Sequence, residues 1–149
     1  MGDFFKIFRA ALIGCLVILA VPASQSAAGL SNKQVKVVYH LSEGIDQAAS
    51  ALHKIRNHLD VDPNAKITVV AVDYGVDFLL EGAKDKNNNP FDATVQTLVS
   101  RGVDFRVCNN TLIGRNIDRH KVIPEAKIIP AGMPEIARLE AEGYGYIKP

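Results

Sequence analysis

Residues 66–72 read Lys66-Ile67-Thr68-Val69-Val70-Ala71-Val72, and they are the clearest indication of the fold class. It is a nearly continuous apolar run, rich in β-branched side chains, of the kind found in strands that are buried on both faces. Such strands occupy the interior of parallel sheets whose two sides are covered by helices. The stretch therefore predicts a central strand of an α/β protein.

The segments on either side alternate between strands and helices. Residues 34–41 predict a strand, and Ser42 offers an N-cap for a helix over 43–59. The later pattern predicts a short helix at 76–81, a helix at 92–101, a strand ending at Cys108, a weak helix at 112–115, a strand at 127–129, a helix at 135–142 and a short strand or tail at 143–149. This alternation implies parallel pairing through right-handed crossovers. We expect a three-layer α/β/α fold with a mainly parallel sheet of about five strands.

The amino terminus has the pattern of a secretory signal peptide. Two basic residues precede an apolar run over 10–23, and small residues precede a cleavage site before Gly29. The run is shorter than the ~20 residues that a transmembrane helix needs, which disfavours a retained anchor. Lipidation at Cys15, which ends a sequence resembling a lipobox, is the alternative. We expect residues 1–28 to be removed, residues 29–149 to form one domain, and the mature protein to be periplasmic or secreted from a bacterium.

Composition and motifs exclude several classes of function. Residues 29–149 contain 15 basic and 15 acidic side chains, so charge gives no argument for binding nucleic acid or an anionic membrane. The sequence lacks a phosphate-binding glycine pattern, a Gly-x-Ser-x-Gly elbow and a Cys-x-x-Cys motif. His53 and His58 are five apart, which puts them on different faces of a helix. We expect neither a cofactor nor a metal site, and no stable membrane span in the mature chain.

Cys108 is the only cysteine after the predicted signal peptide. An exported protein with one thiol cannot close an internal disulfide, so the thiol is buried, paired with another chain or used in chemistry. It ends a predicted strand and precedes the polar turn Asn109-Asn110-Thr111. A thiol near a helix amino terminus or a cation becomes a better nucleophile, and the same surroundings stabilise a persulfide anion. The competing interpretation is a small buried hydrophobic residue.

Two other polar side chains are predicted at the same edge of the sheet. Open parallel sheets place their ligand sites outside the carboxyl ends of their strands, and His40 and Asp73 stand at two such ends. His40 is a candidate for positioning a ligand or moving a proton near Cys108, and a structural histidine is the alternative. Asp73 is a candidate supporting carboxylate or a helix cap.

Several ordered motifs resemble the DsrE/DsrF-like family. They are Phe105-Arg106-Val107-Cys108-Asn109-Asn110-Thr111-Leu112, Ile123-Pro124-Glu125-Ala126, Pro134-Glu135-Ile136-Ala137-Arg138-Leu139 and Glu142-Gly143-Tyr144-Gly145-Tyr146-Ile147-Lys148-Pro149. The resemblance covers nearly all of the chain from Val35 onward and implies a small three-layer α/β fold. The resemblance also implies assembly as trimers or hexamers. The family includes sulfur-relay proteins that carry sulfur as a cysteine persulfide. In that comparison Cys108 matches the family's cysteine after the third strand, and Asn109, Asn110 and Thr111 match the turn that follows.

Together these observations predict an exported sulfur carrier, or sulfurtransferase-type protein, that holds sulfane sulfur as a persulfide on Cys108. Its partners would be sulfur-donor and acceptor proteins or small reduced sulfur compounds, and multiple-turnover enzymatic activity is not implied. The alternative function is a non-catalytic oligomeric module that binds a small ligand or partner, with a structural Cys108. A third interpretation, dimerisation through a Cys108 disulfide, predicts a reducible dimer.

Overall fold

The structure, a computed structural model, describes residues 34–149. The predicted signal peptide and Cys15 lie outside these residues. The elements in chain order are β1 (Lys36–Leu41), α1 (Ile45–Val61), β2 (Lys66–Ala71), a 3-10 helix (Asp73–Leu79), α2 (Phe91–Ser100), β3 (Asp104–Cys108), α3 (Asn109–Gly114), a short 3-10 helix (Arg119–Lys121), β4 (Ala126–Ile129), α4 (Gly132–Ala141) and β5 (Gly145–Ile147). None of the helices over residues 34–149 is both long and apolar enough to cross a bilayer.

The five strands form one parallel sheet in the order β4-β3-β2-β1-β5. Successive connections carry the chain from β1 across to β4, so β2 lies at the centre, as residues 66–72 predict. The connection through α4 then returns across the sheet and pairs β5 with the free edge of β1. This confirms the α/β class with a parallel sheet of five strands.

The sheet separates two apolar clusters. The larger cluster includes Leu52 of α1 and Leu98 of α2, which pack with Phe105 and Val107 of β3. The smaller cluster joins α4 to the opposite face of the sheet, and its members are Val38, Val70, Val72, Cys108, Ile136, Leu139 and Tyr144. Side chains alternate between the faces of a strand, so Cys108 belongs to the α4 side.

Four helix starts differ from the sequence prediction by more than one residue. The helices predicted at 76–81 and 112–115 begin three residues earlier, as a 3-10 helix at Asp73 and as α3 at Asn109. The predicted Ser42 N-cap is wrong, because α1 begins at Ile45 after Gly44, whose φ of 88° suits a residue without a Cβ. The backbone N–H groups of Ser42 and Glu43 donate instead to Oε1 of Gln47, at 2.8 and 2.9 Å. The last helix, predicted from residue 135, begins three residues earlier at Gly132, so its first turn reaches the end of β3.

Candidate thiol site

The end of β3 places the thiol. Phe105 and Val107 point into the larger apolar cluster, so Arg106 and Cys108 point to the face that α4 covers. The chain passes directly from β3 into α3, and Cys108 occupies the N-cap position of that helix without a side-chain capping hydrogen bond. The Cys108 side chain is buried, with 5% of its surface exposed, and it is the one free cysteine of the described residues.

The Cys108 sulfur accepts a hydrogen bond from the first turn of α4. The Gly132 N–H donates to Sγ, with 3.2 Å between the nitrogen and the sulfur. The first N–H groups of a helix have no acceptor within the helix, and the helix dipole places partial positive charge there. A donor at this position can hold a sulfur atom that carries negative charge.

Gly132 is required by this close approach. A Cβ built on Gly132 would overlap Cγ1 of Val72 and lie 3.4 Å from the Cys108 Cβ. Any larger residue would push the first turn of α4 away from β2 and β3. The small residue at this position is thus part of the site, although it carries no reactive group.

A cavity of about 560 Å³ opens beside the sulfur. It lies where β2 and β3 end, between the first turns of α3 and α4, which is the edge of the sheet that the sequence predicts. Its lining residues are Val72, Asp73, Cys108, Asn110, Thr111, Gly114, Arg115, Ala131, Gly132, Met133 and Pro134. This volume is ample for a small ligand next to the thiol.

Polar contacts fix the side of the cavity opposite α4. Oγ1 of Thr111 accepts a hydrogen bond from the Asp73 N–H at 3.0 Å, which ties the turn after β2 to α3. Nη1 of Arg115 donates to the Asp73 carbonyl oxygen at 2.9 Å and to Asp77 at 2.6 Å, and the guanidinium lies over the Tyr74 ring. Asp73 itself has φ of 47°, a left-handed conformation that aspartate tolerates better than most residues.

Arg106 lies on the same face as Cys108, and its charge is compensated. Its guanidinium pairs with Asp104 of β3 and Glu135 of α4. Burial raises the pKa of Asp104, but hydrogen bonds from Arg106 and Lys127 outweigh burial and leave it below its usual range. The pKa of Glu135 is lowered by hydrogen bonds from Arg138 and Arg106. Arg106 therefore serves an ion-pair network and is not a free cation beside the sulfur.

His40 is buried on the α4 side of the sheet but does not line the cavity. Its Nδ1 lies 2.7 Å from the Tyr146 hydroxyl of β5, and its buried Nε2 has no partner among the residues that the structure describes. Burial is the main cause that lowers the pKa of His40, and the nearby Lys148 lowers it further. Two strand spacings separate β1 from β3, so the imidazole and the thiol are not in contact.

The structure brings together four of the six predicted site residues: Asp73, Cys108, Asn110 and Thr111. His40 lies apart, and Asn109 does not line the cavity; its buried Oδ1 has no hydrogen-bond partner within residues 34–149. Sequence reasoning missed Gly132 as the donor to the sulfur. The sequence feature that could have revealed Gly132 is Pro134. Proline is tolerated within the first turn of a helix, so α4 could begin before residue 134.

Fold and site together define a class: a small parallel α/β protein with a cysteine at a strand end, facing the amino terminus of a helix. A model of the DsrE/DsrF-like family matches residues 36–149, and the chain belongs to that family. The comparison with curated proteins gives no significant match.

Two solved structures share this fold. A protein of unknown function from Methanobacterium thermoautotrophicum, MTH1491, is 26% identical with a TM-score of 0.69, and the match covers 78% of this chain and all of that one. The YchN protein from E. coli is 16% identical with a TM-score of 0.63, over 78% of this chain and 98% of that one. The second likeness is one of fold alone.

Proposed function

We propose that this protein is a sulfur carrier that holds sulfane sulfur as a persulfide on Cys108. The observation that carries the proposal is the Gly132 N–H donated to the sulfur beside an open cavity. A helix amino terminus stabilises the anionic sulfur that attacks a donor. The cavity leaves room for the added sulfur and its donor. Membership of the DsrE/DsrF-like family, which includes sulfur-relay proteins, supports the same function.

The chemistry consists of two thiol exchange steps. The Cys108 thiolate attacks the sulfane sulfur of a donor, a new S–S bond forms on Cys108, and the donor's S–S bond breaks with its electron pair leaving on the departing thiolate. In the second step an acceptor thiolate attacks the outer sulfur, and Cys108 leaves as a thiolate. The sulfur is transferred at the same oxidation level, so neither step needs an external oxidant.

The test is intact-protein mass spectrometry after brief incubation with inorganic polysulfide. We expect the wild-type protein to gain the mass of one sulfur and to lose it on treatment with a thiol reductant. The Cys108→Ser variant should gain nothing, because serine keeps the size of the side chain but cannot form an S–S bond.

A matched control is wild-type protein alkylated at Cys108 before the incubation, which should also gain no sulfur. An unmodified wild type with an intact thiol would contradict the carrier function. Sulfur gained equally by the Cys108→Ser variant would place the modification elsewhere.

We also propose that the protein is exported. The pattern of residues 1–28 supports a mature chain that begins at Gly29 and works in the periplasm or outside the cell. Its donors and acceptors would then be reduced sulfur compounds or thiol proteins of that compartment. The same mass spectrum, recorded on protein recovered from the host, gives the first residue of the mature chain and shows whether a lipid is attached.

The second candidate function is a binding module in which Cys108 only packs. Its support is the burial of Cys108 at 5% exposure within the cluster that holds α4 on the sheet. In that case Cys108 should react slowly with iodoacetamide at neutral pH in the folded protein and quickly after unfolding. A carrier should react quickly in the folded state.

A further inference from the structure

The geometry points to a positioning role for the ion pair between Arg106 and Glu135, which fixes the first turn of α4 so that the Gly132 N–H lies at the Cys108 sulfur. This inference rests on the proposed role of Cys108 as a reactive thiol. It adds two residues, outside the cavity, that set how reactive the thiol is.

Two contacts join the same stretches of α4 and β3. Arg106 and Cys108 are two residues apart on β3, so they share a face and stand roughly 7 Å apart. Gly132 and Glu135 are three residues apart on α4, so they share a side of the helix, about 4.5 Å apart along its axis. Gly132 meets Cys108 while Glu135 meets Arg106. One contact would allow the helix to pivot, whereas two fix its position and its rotation.

No apolar side chain of this first turn is buried against the sheet. Ile136 and Leu139 are buried and hold the later turns of α4 on the sheet. In the first turn Gly132 has no side chain, and Met133 and Pro134 are exposed. The polar contacts of Gly132 and Glu135 are therefore what seats the start of the helix.

The Arg106 guanidinium is itself held in place by Asp104 on the same strand. Its Nε and Nη2 donate to Oδ2 of Asp104 at 3.0 and 2.5 Å, and Lys127 lies 3.0 Å from the other oxygen of that carboxylate. The side chains of Arg106 and Glu135 are 17% and 15% exposed, so water screens their attraction less than it screens a surface pair. Arg138 also pairs with Glu135, but its side chain is half exposed on the outer side of α4.

When Glu135 is replaced by alanine, the loss of its charge and the loss of its contact with Arg106 predict opposite shifts in the pH profile of Cys108 alkylation. Taking a negative charge away from the neighbourhood of the sulfur favours the thiolate, so a direct effect of charge moves the pH profile of alkylation to lower pH. Loss of the contact that seats α4 weakens the hydrogen bond from Gly132 and moves the profile to higher pH. The sign of the shift separates the two effects.

The experiment measures the alkylation rate of Cys108 by iodoacetamide against pH, on the full chain, for wild type and Glu135→Ala. We expect the midpoint of the profile to rise by about half to one pH unit, a three- to tenfold smaller thiolate fraction at neutral pH. The midpoint is compared and not the plateau, because the plateau also changes with access to the sulfur. Glu140→Ala, which removes the same charge from an exposed position of the same helix, is the matched control and should leave the midpoint unchanged.

A midpoint in Glu135→Ala that stays the same or falls, in a variant that circular dichroism shows to be folded, overturns the inference. A rise of the same size in Glu140→Ala also overturns it. Should Glu135→Ala not fold, Glu135→Met gives the same comparison, because methionine keeps the length of the side chain but offers Arg106 no carboxylate. The proposed function fails separately: a wild type that takes up no sulfur from polysulfide refutes the carrier and leaves the alkylation profiles to decide the positioning role.

Discussion

At the scale of single residues, the site depends as much on what Gly132 lacks as on what Cys108 carries. A hydrogen bond from a backbone N–H to a sulfur requires the two backbones to approach closely, and here Val72 fills the space that a Cβ on Gly132 would need. Cys108 was predictable because a lone thiol at a strand end is visible in the sequence. Gly132 was not, because its partner is 24 residues away along the chain.

The change Gly132→Ala should destabilise the protein by about 1 to 3 kcal/mol, the usual cost of forcing extra atoms into a packed interior. Urea unfolding followed by circular dichroism measures it. The matched control is Gly114→Ala at the end of α3, where a Cβ meets nothing within 4 Å. This change should leave the free energy of unfolding unchanged or raise it by up to about 1 kcal/mol. Equal stability of the two variants would contradict the packing described here.

At the scale of elements, strands and helices were predictable where local pattern decides them, and their ends were not. Residues 66–72 predict β2 within one residue of its observed end at Ala71. The start of α1 was missed because the Gln47 side chain accepts from the backbone N–H groups of Ser42 and Glu43 and holds them ahead of a helix that begins after Gly44. The start of α4 was missed because contacts with β3 stabilise a first turn whose Gly and Pro have low helix propensity.

The pairing of β5 with β1 should weaken as the pH falls. The fold lowers the pKa of His40 below that of an unfolded histidine, so the unfolded chain binds the proton more readily. The contribution of His40 to the free energy of unfolding is fully present above pH about 6.5 and is lost as the pH falls below that value. In the protonated ring both nitrogens carry a hydrogen, so Nε2 is a buried donor without an acceptor among the described residues, and the positive charge is repelled by Lys148.

Two groups oppose this effect, since Asp73 and Glu43 raise the pKa of His40 by attraction, but burial and Lys148 outweigh them. We expect the free energy of unfolding to fall less between pH 7.5 and 5.5 in His40→Gln than in wild type. Urea unfolding at the two pH values measures it, with His120→Gln at an exposed position as the control. The same fall in His40→Gln and wild type would contradict the prediction.

At the scale of the whole molecule, the sheet is covered unequally. Within residues 34–149, helices α1 and α2 cover one face, and α4 is the one helix on the other face, where the thiol lies. The α/β class and parallel pairing were predictable from the alternation of elements. The order β4-β3-β2-β1-β5 was not, because it depends on a pairing between the two ends of the domain that leaves no local pattern.

The family resemblance implies an oligomer, and we predict a trimer or hexamer in solution. Three large apolar side chains from three elements near the thiol cavity are exposed: Tyr74 at 64%, Ile113 at 69% and Met133 at 58%. Apolar surface of this kind is stabilised by burial against another chain. Light scattering after size exclusion should give three or six times the mass of the mature chain, also at raised salt. The mass of a single chain would contradict the prediction.

The return of α4 across the sheet also sets when the sulfur is shielded during synthesis. Cys108 leaves the ribosome before Gly132, and β5, which anchors the far end of the α4 connection, comes last. Contacts between distant parts of a chain form late in folding. A nascent chain thus leaves the Cys108 sulfur exposed until residues 132–147 have been synthesised and folded, so the change in Cys108 reactivity during refolding reports the docking of α4 and β5.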